Sequence, residues 1–115
     1  MNNCLIYTRV STDEQAQKGK SLEAQETLCK QFAKKNELKV LDIYSDPGRS
    51  GSDANRPGLR TLLKRCKETP KIDFVLTQDI DRLARDVLLF RKTIKELKKL
   101  GVSIKFINQP SYDGS

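Results

Sequence analysis

The sequence predicts an α/β domain: a largely parallel sheet of four to five strands with helices on both faces. Three observations carry this expectation. Short strand-like apolar runs alternate with longer stretches of helical periodicity along the chain. The joints between them are rich in Gly, Pro, Ser and Asp. Strand and helix alternate from start to finish, and this pattern favours crossover connections and parallel strands over hairpins. The 115 residues suit one domain with a single core, residues 1–115, and hence one main site.

The first strand falls at about residues 3–8, on the apolar run Cys4, Leu5, Ile6 and Tyr7. A polar stretch, "STDEQAQKGK", shows no apolar periodicity until Leu22. A helix then runs from about Ser21 to Lys35, with Ser21 as N-cap, Glu23 in the first turn, and Leu28 and Phe32 sharing a face. "LKVLDIYSD" supplies the second strand, and "PGRSGSDANRPG" reads as a loop. Pro57 suits the first position of a second helix, in which Leu59, Leu62, Leu63 and Cys66 recur at i, i+3, i+4 and i+7. "FVLT" is the third strand. A third helix follows "QDIDRLARD", with Val87, Phe90, Ile94 and Leu97 on its apolar side, and Gly101 placed to end it. "VSIKFI" is the fourth strand. No internal repeat or low-complexity segment interrupts the series.

Composition narrows the chemistry. The 22 Lys and Arg against 15 Asp and Glu leave a formal charge of +7 and a pI near 9.5, a bias toward polyanionic partners. No apolar run approaches the roughly 20 residues of a membrane span, and "MNNCLIY" lacks the pattern of a signal peptide, so the expectation is a soluble intracellular protein. Cys4, Cys29 and Cys66 lack the CxxC spacing of a zinc or redox pair and read as reduced core residues. The absence of histidine removes the Ser-His-Asp triad and the commonest metal ligand together. Chemistry here must run on Ser, Arg, Lys and carboxylates.

In parallel sheets the ligand site collects where loops leave the carboxyl ends of the strands. The loops beginning at Thr8, Ser45 and Thr77 carry Arg9 and Ser11, then Asp46, Arg49, Ser50 and Arg56, then Asp79, Asp81, Arg82 and Arg85. Ser11 has two readings. Ser11-Thr12-Asp13-Glu14 matches the capping box S-x-x-E, yet residues 12–20 offer only Ala16 as an apolar face for such a helix. The alternative is a nucleophile, with arginines holding the non-bridging oxygens of a phosphate ester and stabilising the charge that develops on them. "DRLARD" is either a solvated surface feature or an anion-binding pair at a helix start, and "GRSG" either a plain turn or a phosphate cradle.

Taken together, "YTRVST", "SLEAQ", "YSDPGRSGSDANRPGL" and "IDRLARD" resemble the catalytic domain of the serine recombinases, the resolvase and invertase family, from about Asn3 to Ile107 and in the family's order. The resemblance implies a serine that attacks a DNA phosphodiester, forms a 5′-phosphoserine link and releases a 3′ hydroxyl, with no metal or nucleotide cofactor. It implies Ser11 as nucleophile and Arg9, Arg56, Arg82 and Arg85 as phosphate-binding arginines. Asp81 would assist proton transfer or orient the arginines, and Gln15 and Gln25 would support the site, alongside Asp46 and Ser50. Double-stranded DNA is the implied partner, in a bacterial or phage setting within the cytoplasm, associated with the nucleoid and not with a membrane.

Two departures are visible. The loop "TDEQAQKGK" is longer than in small resolvases and is more similar to large serine integrases and transposon recombinases, and Ala84 stands where the family often has glycine. In the family a long dimerisation helix and a DNA-binding region follow, and "NQPSYDGS" ends where that helix would begin. The expectation is therefore a catalytic fragment, weak in DNA binding alone, whose strand exchange needs a dimer or tetramer built by other parts. Two rivals remain at this point. Asp79-Ile80-Asp81 is similar to the magnesium-binding DxD pair of Toprim domains, which predicts metal dependence; a DNA-associated regulatory module with a disused site predicts indifference to Ser11→Ala.

Overall fold

A computed structural model describes residues 2–10, 21–46, 56–69, 71–79, 82 and 87–109. The described elements run β1 (Asn2–Arg9), α1 (Leu22–Lys35), β2 (Leu38–Asp46), α2 (Pro57–Glu68), β3 (Phe74–Thr77), α3 (Val87–Lys99) and β4 (Ser103–Phe106). Four strands form one sheet in the order β2-β1-β3-β4, and every pairing is parallel. This is the α/β architecture expected.

β1 is central, and its residues Cys4 to Arg9 are buried on both faces, as a near-continuous apolar run in a covered parallel strand should be. Side chains alternate across the sheet. Leu5, Tyr7, Val75, Ile104 and Phe106 face α2 and α3, where they meet Leu59, Leu62, Ile94 and Leu97. Cys4, Ile6 and Leu76 face the other way, onto Cys29 and Ala33 of α1. Thus α1 covers one face while α2 and α3 share the other. The connection out of β1 leads one way to β2, and the later connections lead the other way to β3 and β4. The order reverses between β1 and β3, and a crevice for ligands opens at such a point.

Helix ends follow local chemistry. The Ser21 hydroxyl accepts from the Ala24 N–H at 3.1 Å, as expected of an N-cap. α3 ends at Gly101 in the left-handed region, φ 77°, with Gly101 N–H donating to Lys98 O and Val102 N–H to Leu97 O, both 3.0 Å. α1 makes the same kind of turn without glycine, since Glu37 has φ 57°.

Two expected faces are corrected. The buried stripe of α1 is Gln25, Cys29 and Ala33 at i, i+4 and i+8; Phe32 is half-buried at its margin, and Leu28 is 39% exposed. A polar residue thus takes a core position because the sheet gives it partners, and Leu28 is rotated outward. On α3 the buried residues are Thr93, Ile94 and Leu97 with Phe90 half-buried, while Val87 is 61% exposed on the first turn. All three cysteines are free and buried, as the sequence suggested.

Two predictions follow from packing and backbone. Glu37→Gly, which relieves a left-handed non-glycine residue, should raise stability by about 0.5–1 kcal/mol in urea unfolding; a loss would mean that Glu37 makes a stabilising contact of its own. Burial pushes the thiols up from near 9, Cys4 and Cys66 to about 11 and Cys29 to about 12. The folded state therefore keeps protons that the unfolded chain releases. Stability should be level below about pH 8 and fall as pH rises past 9 toward 11–12, by up to about 1.4 kcal/mol per pH unit per thiol. Urea midpoints across this range measure it, and a flat profile would contradict thiol burial.

Candidate active site

The carboxyl ends of β1 and β2 and the turn after β3 meet at one edge of the sheet. Arg9 ends β1, Asp46 ends β2, Arg56 precedes α2, and Arg82 follows β3. All four are nearly inaccessible, between 2% and 7% exposed. Three guanidinium groups are thereby gathered out of bulk water, and two carbonyl oxygens hold them. Arg9 Nε and Arg56 Nη1 donate to the Arg82 carbonyl at 3.3 and 3.5 Å, and Arg82 Nη1 donates to the Arg9 carbonyl at 3.2 Å. Arg82 is fixed in turn by Asp79, whose backbone and Oδ1 oxygens both accept from the Arg82 N–H, at 3.1 and 3.2 Å.

Gln25 completes the backbone of Arg9. The β1–β3 pairing ends at Ile6 with Leu76, while β1–β2 pairing continues to Arg9 with Asp46. The buried Gln25 amide supplies both partners to Arg9: Oε1 accepts from Arg9 N–H at 3.1 Å and Nε2 donates to Arg9 O at 2.9 Å. A primary amide presents the same donor and acceptor as a peptide unit, so Gln25 acts as one residue of a further strand.

Asp46 ties the edge together. The residue at the N-cap of α2 is Arg56, whose side chain makes no capping bond, and Pro57 lacks an N–H. The Asp46 carboxylate does the capping from the neighbouring strand: Oδ1 accepts from Gly58 N–H at 2.7 Å and Oδ2 from Leu59 N–H at 3.0 Å. Oδ2 also accepts from the Tyr7 hydroxyl at 2.7 Å. Burial and the Asp46 carboxylate push the Tyr7 phenol well up, and Arg56 and Arg9 pull the other way. Gly58 lets α2 approach this closely, because a Cβ there would lie 2.5 Å from the Ser45 carbonyl oxygen.

Of the residues the sequence singled out, the structure brings together Arg9, Arg56, Arg82, Gln25 and Asp46. Ser11, Gln15, Ser50, Asp81 and Arg85 lie outside the described residues, as does Arg49. Sequence reasoning missed Tyr7 and Gly58. The signal for Gly58 was present: a glycine in the first turn of a helix that lacks a capping side chain of its own points to a close neighbour and a remote cap. Tyr7 gave no such signal, since it continues an apolar run. Among the described residues, no group of three His, Cys, Asp or Glu is arranged to hold a metal ion.

Three buried guanidinium groups gathered at one edge of the sheet form a candidate site for an anion. The family model described as "Resolvase, N terminal domain" matches residues 4–115, and the chain belongs to this family. It is similar to a resolvase/recombinase of Pseudomonas putida, 37% identical over 102 residues, and to the transposon Tn3 resolvase of Escherichia coli, 34% identical over 102 residues. These alignments cover 89% of this chain but 49% and 48% of the relatives, so the chain spans about half of their length. Among solved structures, the N-terminal catalytic domain of TP901-1 integrase superposes with a TM-score of 0.83 at 29% identity, over 95% of this chain and 79% of that one.

Gly58→Ala tests the strand-to-helix clamp. Alanine is the better helix former by about 1 kcal/mol, yet the clash with Ser45 should make the variant less stable by about 1–3 kcal/mol. Urea unfolding gives the sign, and stabilisation would show that α2 stands farther from β2.

Proposed function

We propose that residues 1–115 are the catalytic domain of a serine-type site-specific DNA recombinase, which cleaves and rejoins DNA through a covalent protein–DNA intermediate. The observation that carries this reading is the convergence of buried Arg9, Arg56 and Arg82 at the carboxyl edge of the sheet, in a chain of the resolvase family. Ser11, two residues beyond Arg9, is the nucleophile. Its hydroxyl oxygen attacks the phosphorus, the 3′ oxygen leaves as a hydroxyl after taking up a proton, and the 5′ phosphate remains on the serine. Attack by that 3′ hydroxyl, or by one from another strand, reverses the step and restores Ser11.

In this scheme Arg9, Arg56 and Arg82, joined by Arg85, hold the non-bridging oxygens, whose charge grows in the transition state. Asp81 orients arginines or carries the proton. Gln25 and Asp46 hold the backbone of Arg9 and the start of α2, and Gln15 and Ser50 support the same site. The partner is double-stranded DNA in the bacterial or phage-infected cytoplasm, and strand exchange takes place in a dimer or tetramer. Among the described residues, no helix is long and apolar enough to cross a membrane.

The Toprim-like alternative takes Asp79 as a metal ligand, whereas in the structure its Oδ1 accepts from the Arg82 N–H. A covalent trap separates the readings. The chain as its gene encodes it is incubated, without divalent metal, on DNA flanking that gene, then denatured and digested for mass spectrometry. A nucleotide should appear on Ser11 and vanish in Ser11→Ala, and Arg9→Ala, Arg56→Ala or Arg82→Ala should each slow cleavage by about 10²-fold or more. An adduct on another residue, or cleavage only with magnesium, would overturn the scheme.

A further inference from the structure

On the sheet face that they share, α2 and α3 leave between them a groove of about 380 Å³. Each helix turns one side to it at helical spacing: Arg60, Leu63, Lys64 and Lys67 from α2, and Leu89, Lys92, Thr93 and Glu96 from α3. The floor is apolar, made of Leu63 and Leu89 above the buried Leu59 and Thr93. The rims are cationic. Lys64, Lys67 and Lys92 are exposed, and Arg56 stands at one end. Five cations thus line the groove against one carboxylate, Glu96, which already meets Lys67 Nζ across it at 3.4 Å. Beside Lys92, one turn earlier on α3, Leu88 is 78% exposed and extends the apolar surface outward.

An apolar floor between two cationic rims selects its occupant. A groove of about 380 Å³ admits side chains but not a DNA duplex, and leucines offer a phosphate nothing. A free anion would be satisfied by the rims and leave the floor wet. A helix with large apolar residues at i and i+4 and with Asp or Glu beside them satisfies both, burying the leucines and meeting the rims with opposite charge. We propose that the α2–α3 groove is a docking site for an acidic amphipathic helix of a partner protein. The proposal does not rest on the recombinase reading, although Arg56, at one end of the groove, also belongs to the arginine cluster.

The test is fluorescence anisotropy on the 115-residue chain at about 0.15 M salt, where surface charges more than about 8 Å apart are screened. Four labelled probes are compared: a 16-residue helical peptide with leucines flanked by glutamates, the same peptide with lysines for glutamates, the same with serines for leucines, and a 16-base-pair duplex. The acidic amphipathic peptide should bind, and Lys64→Glu/Lys92→Glu should weaken it at least tenfold. Leu63→Ser should weaken it several-fold, while Lys34→Glu/Lys39→Glu, outside the groove, should leave it within twofold. Lys64 and Lys92 are exposed, so their double variant serves even if Leu63→Ser unfolds. Absence of binding, equal binding of the serine peptide, indifference to the groove variants, or displacement of the peptide by the duplex would each overturn the proposal, the last in favour of DNA.

Discussion

The Asp46 carboxylate is the interaction on which this edge of the molecule depends. Its two oxygens accept three hydrogen bonds, from the Tyr7 hydroxyl in β1 and the Gly58 and Leu59 N–H groups of α2, and so join two strands to a helix. A charged acceptor strengthens each bond, and at a helix N-terminus it also meets the positive end of the macrodipole. α2 has no cap of its own, so its start is located by β2. Arg56, immediately before that start, is located with it.

Once α2 is fixed, the arginine cluster becomes possible. Guanidinium groups out of water repel one another and are costly to desolvate. Here carbonyl dipoles offset part of that cost, with the Arg82 oxygen serving Arg9 and Arg56, and the Arg9 oxygen serving Arg82. The Arg9 peptide is in turn held by Gln25 from the opposite face of the sheet. Strands, helices and side chains from four regions of the chain converge where the strand order reverses. The three guanidinium groups are thereby held in place by the fold around them.

The two faces of the domain divide the labour. α1 seals one face with small and polar buried residues, Gln25, Cys29 and Ala33, and this lets it lie close enough to the sheet for Gln25 to reach β1. α2 and α3 build the larger core on the other face. Their sides away from that core carry lysines and arginines over a leucine floor.

The order of elements is legible in the sequence, because period-2 and period-3.6 patterns and the punctuation at Ser21, Pro57 and Gly101 are local properties of the chain. The sequence also singled out Arg9, Arg56 and Arg82 as candidates, at strand ends or helix starts on the edge where parallel sheets bind ligands, and the structure brings these three together. What it could not convey are contacts between residues far apart in the chain. That Gln25 would be buried in preference to Leu28 was decided by the peptide of Arg9, 16 residues earlier, whose N–H and carbonyl its amide meets. That Tyr7 would anchor an aspartate was decided by the pairing of β1 with β2, and that Gly58 would be needed for close approach by the distance between β2 and α2. Only the tertiary structure sets such distances, because they arise from packing in three dimensions and leave no period in the sequence.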